Sequence, residues 1–599
     1  MSRFSILLLA TLCYTFGNAY GQTLPSINNV IYVDGVKYTT LQSAIQACVV
    51  SSPCVVDGRN PNIGTQTWTT SCPLANMGAN SVLLTGPYTV QWDHSAFFCD
   101  VPSHFRWVMN GTTILNSTGS TGAGVNQLPG VLPYNTFIGT RIYQTTGSIS
   151  SSSNSLTVAS ATNLSVGAMV GVLGAGGSFS KQATTINQSG GIGTGDSSFT
   201  VTSTGGWDTT RTNYLKIDNE LLSCTGGTVT TFSGCTRGRY GTTAATHANG
   251  AAVQAVGVFV SEITAISGTT VTLADNAFSA VTSAPVYSGV TDVTFDGSGT
   301  LNGNQTVGAG STFLMGIAAA YSGNVVVNPG VKIKNFDHGG ILATASKFNT
   351  FLPGALEGNG KPSSGLGSDV WLFEQASNNV VRTGAHYKGS IALEIDDRSS
   401  TFTINSGASS NNTTFLGPIE GPYFNCADVE GFSSNNTVYL GRCKSSSTGI
   451  LVTGSGQWTT GPTPSNNSIF FGSIDGGVGA AITTTLYTGG NNSIQGGNVI
   501  AGTVGAASGD LLNLANASAI RPTHYGQLST NGDVSGSVAL VSGTKTITFA
   551  IPYQASPICI AQDATTIANT VQCSTSTTQA VLTGTGTDTV KYIILGNPD

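Results

Sequence analysis

Residues 382–398 hold the densest set of reactive groups in the chain: Arg382, His386, Lys388, Glu394, Asp396, Asp397 and Arg398. Only 8% of all residues are charged, so seventeen positions should carry one or two charges; these carry six and a histidine. The run Ile391-Ala392-Leu393-Glu394-Ile395-Asp396 alternates with period two, which sends Ile391, Leu393 and Ile395 to one side of a strand. Glu394 and Asp396 then share the other side, about 7 Å apart. A second run, Cys426-Ala427-Asp428-Val429-Glu430, repeats the pattern. If the two strands are neighbours, Glu394, Asp396, Asp428 and Glu430 form one four-carboxylate patch with Asp397, Lys388 and Arg398 at its rim. Close like charges raise one another's pKa, which sets a general acid beside an ionised base. That pair suits glycoside hydrolysis. The same oxygens can instead hold Ca²⁺, or the patch is a solvated acidic edge. Tyr387 and Tyr423, with Trp371, Tyr439 and Trp458, supply aromatic surface for sugar rings or fill the interior.

A repeat argues that the strands are neighbours. Asn-Asn-x-x-x-x-Gly recurs at 378–384, 411–417, 435–441, 466–472 and 491–497, with a weaker copy at 324–330. The intervals of 33, 24, 31 and 25 residues are those of a solenoid. Each copy reads as a turn, a short strand rich in β-branched and aromatic residues, and a Gly at the next corner, where a positive φ would require it. Asn tolerates left-handed backbone angles, and its side chains can form ladders from coil to coil. No leucine ladder or helix accompanies the pairs. The expected fold is all-β, a right-handed parallel β-helix over residues 288–520.

Residues 40–47 place Leu41, Ala44, Ile45 and Ala47 at helical spacing, before a strand at 53–56. Here the chain resembles the pectate-lyase superfamily, which includes polygalacturonases and phage tailspikes and in which a short helix plugs the first coil. Phe295-Asp296-Gly297-Ser298-Gly299-Thr300-Leu301-Asn302-Gly303-Asn304 is similar to a segment of the polygalacturonase-like enzymes. The resemblance implies a first set of coils at 22–145, and Lys388 or Arg398 as the base of a Ca²⁺-dependent lyase. Asn335-Phe336-Asp337, Asp396-Asp397 and Arg442-Cys443-Lys444 follow the polygalacturonase order, but its Gly-His-Gly is absent. No polygalacturonase is assigned.

Residues 146–287 lack the Asn pairs and alternate like hairpins, so they read as an inserted β-domain. Residues 235–253, CTRGRYGTTAATHANGAAV, resemble small modules of phage tails and baseplates; Arg237 and His247 there read as turn and packing residues. At 521–599, clean alternation at 544–549 and apolar runs at 558–560, 580–582 and 592–595 predict an antiparallel sandwich. It acts as a cap on the last coil, or in sugar binding or subunit association.

Residues 1–21 have the charge, apolar stretch and small-x-small ending of a secretory signal. The ten remaining cysteines fall into five local pairs, read from proximity as disulfides: 48/54, 72/99, 224/235, 426/443 and 559/573. Scattered histidines and the lack of CxxC argue against zinc, and a net charge of −6 gives nucleic acid no footing. No later stretch is apolar enough to span a membrane. The expectation is a secreted protein that binds a polysaccharide, either as a binder alone or as a hydrolase or lyase that cleaves it. It needs no cofactor, though Ca²⁺ can bind. The alternative is a non-catalytic, tailspike-like adhesive rod, for which a homotrimer is one arrangement.

Overall fold

The computed structural model describes residues 30–595 except 70–71, 93–97, 117–134, 206, 208–212, 305–313, 361–366, 397–408, 421–422, 432, 455–463, 486–489, 506–510, 517–533, 550–555 and 567. The signal segment, Asp397, Arg398 and Trp458 lie outside the described residues.

Three-strand coils stack in parallel. On the first face, one inward residue per coil forms the column Ile138, Ile317, Ile341, Val370, Leu393, Ala427, Ile450, Ile482. The second face stacks Leu83, Trp107, Phe295, Val327, Phe351, Val381, Thr414, Val438, Ile469 and Ile494. The third stacks Val90, Ile114, Leu301, Ile333, Leu356, His386 and Ile419. These columns meet in one apolar core running from Ile31 to Val499. The fold is a parallel β-helix.

The two asparagines of the repeat do different jobs. The first (Asn378, Asn411, Asn435, Asn466, Asn491) turns the corner at φ 52–57°, a region costly to most L-residues. The second is buried, and Asn349, Asn379, Asn412, Asn436, Asn467 and Asn492 form a ladder in which each Nδ2 donates to the next Oδ1 at 2.9 Å. The closing glycines also stack, but none of the five has a positive φ, which corrects the reason expected for them. Glycine is needed there for close approach: a Cβ at Gly417 would collide with the Gly384 carbonyl, whereas at Gly441 the nearest atom, the Gly417 oxygen, is 3.6 Å away.

The helix Leu41–Gln46, started by a Thr40–Ser43 capping box, buries Leu41, Ala44 and Ile45 in the end of the core. Between Tyr143–Ile149 and Val281–Ser288 the chain leaves the solenoid to build a ten-stranded antiparallel sheet. Its Met169, Leu173, Val258, Val260 and Tyr287 pack on the outside of the first face, against Met315, Ala318, Leu342, Trp371 and Phe373. Near the C-terminus two three-stranded antiparallel sheets enclose Leu540, Leu582, Val590 and Ile594. All five local cysteine pairs are disulfides.

Candidate functional site

The strands Ile391–Asp396 and Tyr423–Glu430 are adjacent on the first face, and Glu394 lies in register with Asp428. Leu393, Ile395, Ala427 and Val429 enter the core, so the four acidic side chains occupy the outward positions. The stripe continues into Trp371, in register with Glu394, and Phe373, in register with Asp396. It is not a solvated edge, however. Glu394, Asp396, Asp428 and Glu430 are 3%, 0%, 2% and 6% exposed. Ser368 Oγ donates to Glu394 Oε2, and Asn425 Nδ2 donates to both oxygens of Asp428 at 2.9 and 3.0 Å. Carboxyls buried like this need such partners, because desolvating a charge is costly. The reading of the patch as a solvated acidic edge is therefore corrected.

Tyr423 is not on that surface. It lies inside the coil, where its hydroxyl donates to Asp369 Oδ2 at 2.8 Å. Burial, and then the Asp369 carboxylate, push the phenol well above its ordinary pKa, so it stays a donor. Asp369 also accepts from Asn359 Nδ2 and pairs with His386 Nδ1, each at 2.8 Å; His386 Nε2 is 2.6 Å from Thr383 Oγ1. This Thr-His-Asp chain has the connectivity of a nucleophilic triad, yet it is closed inside the solenoid. It satisfies a histidine standing in an aliphatic column. Sequence reasoning missed Asp369; the available signal was His386 at an inward position, which demands a partner. Tyr387 is exposed on the third face, in register with Glu357 and Glu420, and Lys388 turns the corner after it. Neither reaches the acidic stripe.

In the inserted sheet, Arg237 makes a bidentate pair with buried Glu220, with Nε and Nη2 each at 2.7 Å. Gly238 N, Ala245 N and His247 Nε2 complete the clamp at 2.9 Å each. Burial opposes ionisation, but Arg237 and the other donors outweigh it and hold Glu220 at about 2. The Arg-Gly and His-Ala elements of the sequence thus serve to fix one glutamate.

The outward column of the second face carries Asp296, Asn328, Leu352, Arg382, Phe415, Tyr439, Phe470 and Gln495, one per coil. All are partly or fully exposed. Phe415 and Tyr439 stack at 4.7 Å and 2°, and Tyr439 and Phe470 at 5.0 Å and 14°. The faces of these rings meet one another, so toward solvent they present a strip of ring edges.

The class defined by this register is a parallel β-helix with an antiparallel insertion. No family model matches the chain, and no curated protein matches it. Among solved structures it is similar to the tailspike gp61 of Pseudomonas phage phi297 (11% identity, 87% of this chain and 90% of that one, TM-score 0.31). It is also similar to the tailspike gp49 from Pseudomonas phage LKA1 (11%, 93% and 93%, 0.23). A third is the gp54 tailspike of Acinetobacter baumannii bacteriophage AP22, solved with a capsular saccharide (10%, 87% and 91%, 0.20). The fold assignment rests on the coil-to-coil register rather than on these likenesses.

Proposed function

We propose that the chain is an extracellular protein that binds a polysaccharide along the open second face of its β-helix. The observation that carries this reading is the column from Asp296 to Gln495. It displays one side chain per coil at a pitch of about 4.8 Å over roughly 34 Å, and a periodic display suits a periodic polymer. Carboxylate, amide and guanidinium groups address hydroxyls, and the Phe415–Tyr439–Phe470 strip addresses the C–H edges of sugar rings. Five disulfides support an oxidising compartment. Among the described residues no helix is long and apolar enough to cross a membrane. The test is glycan-array binding of the mature chain, followed by Tyr439→Ala. Loss of binding supports the reading, and wild-type binding by the variant overturns it.

The register of Glu394 with Asp428 favours a second reading, cleavage at the first face. Neighbouring coils stand about 4.8 Å apart, near the ~5–5.5 Å of a retaining pair, and Glu394 to Asp396 along the strand is about 7 Å, within the inverting range. It requires the covered stripe to open to substrate. Asp396→Asn should then abolish release of reducing ends or unsaturated products while binding persists. Unchanged turnover removes this second reading.

A further inference from the structure

The left-handed corner extends well beyond the Asn-Asn repeat. Asn80, His104, Asp292, Asn324, Phe348, Asn378, Asn411, Asn435, Asn466 and Asn491 all have φ between 52° and 61°. From Asn80 to Asn466, each donates its N–H to the carbonyl just before the corner residue of the next coil. Ten coils therefore share one corner, and seven of its ten residues are Asn. The exceptions, His104, Asp292 and Phe348, fall in one stretch of four coils. His and Asp accept this backbone region readily, but an aromatic residue does not. Phe348 is also 51% exposed, so burial offsets only part of its strain. Strain kept at a half-exposed aromatic side chain is a pointer to function.

Beside this stretch lies a groove of about 210 Å³. Asp292 and Asp296 line it with Asn324, Asn328 and Arg106, over Val326 and Leu352. Phe348 follows Asn324 in the same corner column, one coil on, and precedes by two residues Thr350, which lines the groove. Asn324 Nδ2 donates to Asp292 Oδ1, and Asn328 Nδ2 to Asp296 Oδ1 at 2.9 Å. Arg106 Nη2 is 2.6 Å from Asp296 Oδ2, and His104 Nδ1 is 3.2 Å from Asp292 Oδ2. His104, with Asn324, holds Asp292 below its ordinary pKa. At Asp296 burial opposes ionisation, but Arg106, Gly297 N–H and Asn328 prevail and lower it as well.

Three properties select a ligand class. The volume is below the ~300–1,000 Å³ that encloses a drug-sized molecule, leaving room for a single ring. Two carboxylates face one guanidinium that is already committed to Asp296, so an anionic sugar is repelled. Paired carboxylate and amide groups match vicinal hydroxyls, while Val326, Leu352 and an exposed aromatic ring suit an apolar ring face. We propose that the groove is a subsite for one uncharged pyranose residue, gripped by the Asp292–Asn324 and Asp296–Asn328 pairs beside the Phe348 ring. This rests on the second face being a saccharide track and names the sugar class at its N-terminal end.

The test uses the full mature chain on an array of neutral glycans and their uronate-bearing counterparts, with calorimetric titration of the glycans that bind. Wild type should prefer neutral glycans. Phe348→Asn should weaken binding at least tenfold with an unchanged or higher melting temperature, because Asn suits the corner. Asp296→Asn, an independent variant, should shift preference toward uronates at least tenfold by releasing Arg106. The proposal is overturned if wild type prefers uronates. It is equally overturned if both groove variants bind as wild type while Tyr439→Ala does not, an outcome that leaves the track itself standing. Absence of any glycan binding by wild type removes both readings.

Discussion

Replacing Asn412 by alanine removes four hydrogen bonds from the buried ladder. Its Oδ1 accepts from Asn379 N at 3.0 Å and Asn379 Nδ2 at 2.9 Å; its Nδ2 donates to Asn436 Oδ1 at 2.9 Å and to the Ala376 carbonyl at 2.8 Å. Three groups are orphaned: two donors of Asn379 and the Ala376 oxygen. At about 1–3 kcal/mol each, reduced because water enters the gap, the loss is roughly 3–6 kcal/mol. Replacing its neighbour Asn411, which is exposed and left-handed, costs only the backbone strain of alanine, about 1–2 kcal/mol, and glycine there is close to neutral. A chain of this size does not unfold in two states, so the assay is native-state hydrogen exchange on peptides within 376–440. Asn412→Ala should accelerate local opening by about two to four orders of magnitude, at ~1.4 kcal/mol per tenfold. Asn411→Ala should accelerate it by about one. Equal effects, or the reverse order, would refute the division of labour within the pair.

Gly417→Val should fail to give soluble protein or melt far lower, since its Cβ meets the Gly384 carbonyl, while Gly441→Val, with its nearest contact at 3.6 Å, should melt close to wild type. Thermal melts of the pair check this. Glu220 is held at about 2 against an ordinary 4.5, so as pH falls the unfolded chain takes up its proton first. The clamp's stabilisation is complete above about 4.5 and fades toward 2, roughly 3 kcal/mol in all. Glu220→Gln should flatten the stability of the inserted sheet over that window, as read by pH-dependent exchange. His386→Leu restores the aliphatic column but leaves Asp369 short of a buried partner, and should destabilise by about 2–4 kcal/mol.

The solenoid was legible because its corner is written in residue type: only a few side chains accept that φ, and the pair recurs at coil intervals. The alternation of 391–396 likewise placed Glu394 and Asp396 opposite Leu393 and Ile395. Burial of the stripe was not legible, because alternation marks the outward side of a strand but not what packs over it; even at Trp371 and Phe373, on the same stripe, the packing partners Met169 and Val258 are far apart in sequence and carried by no motif. Which of the two roles Tyr423 takes was not legible for a related reason. Its partner Asp369 lies 54 residues away, and an aromatic residue at a strand start does not declare its side. The groove escaped notice because Asp292 and Phe348 break the repeat rather than form it.

The most direct test of the central claim is hydrogen-exchange mapping of the mature chain saturated with a glycan that it binds. Protection is expected in Thr294–Gly297, Thr413–Leu416 and the second-face part of Thr437–Thr453, all along the open face. Protection confined to Ile391–Asp396 and Tyr423–Glu430, or to the C-terminal sheets, would contradict the account.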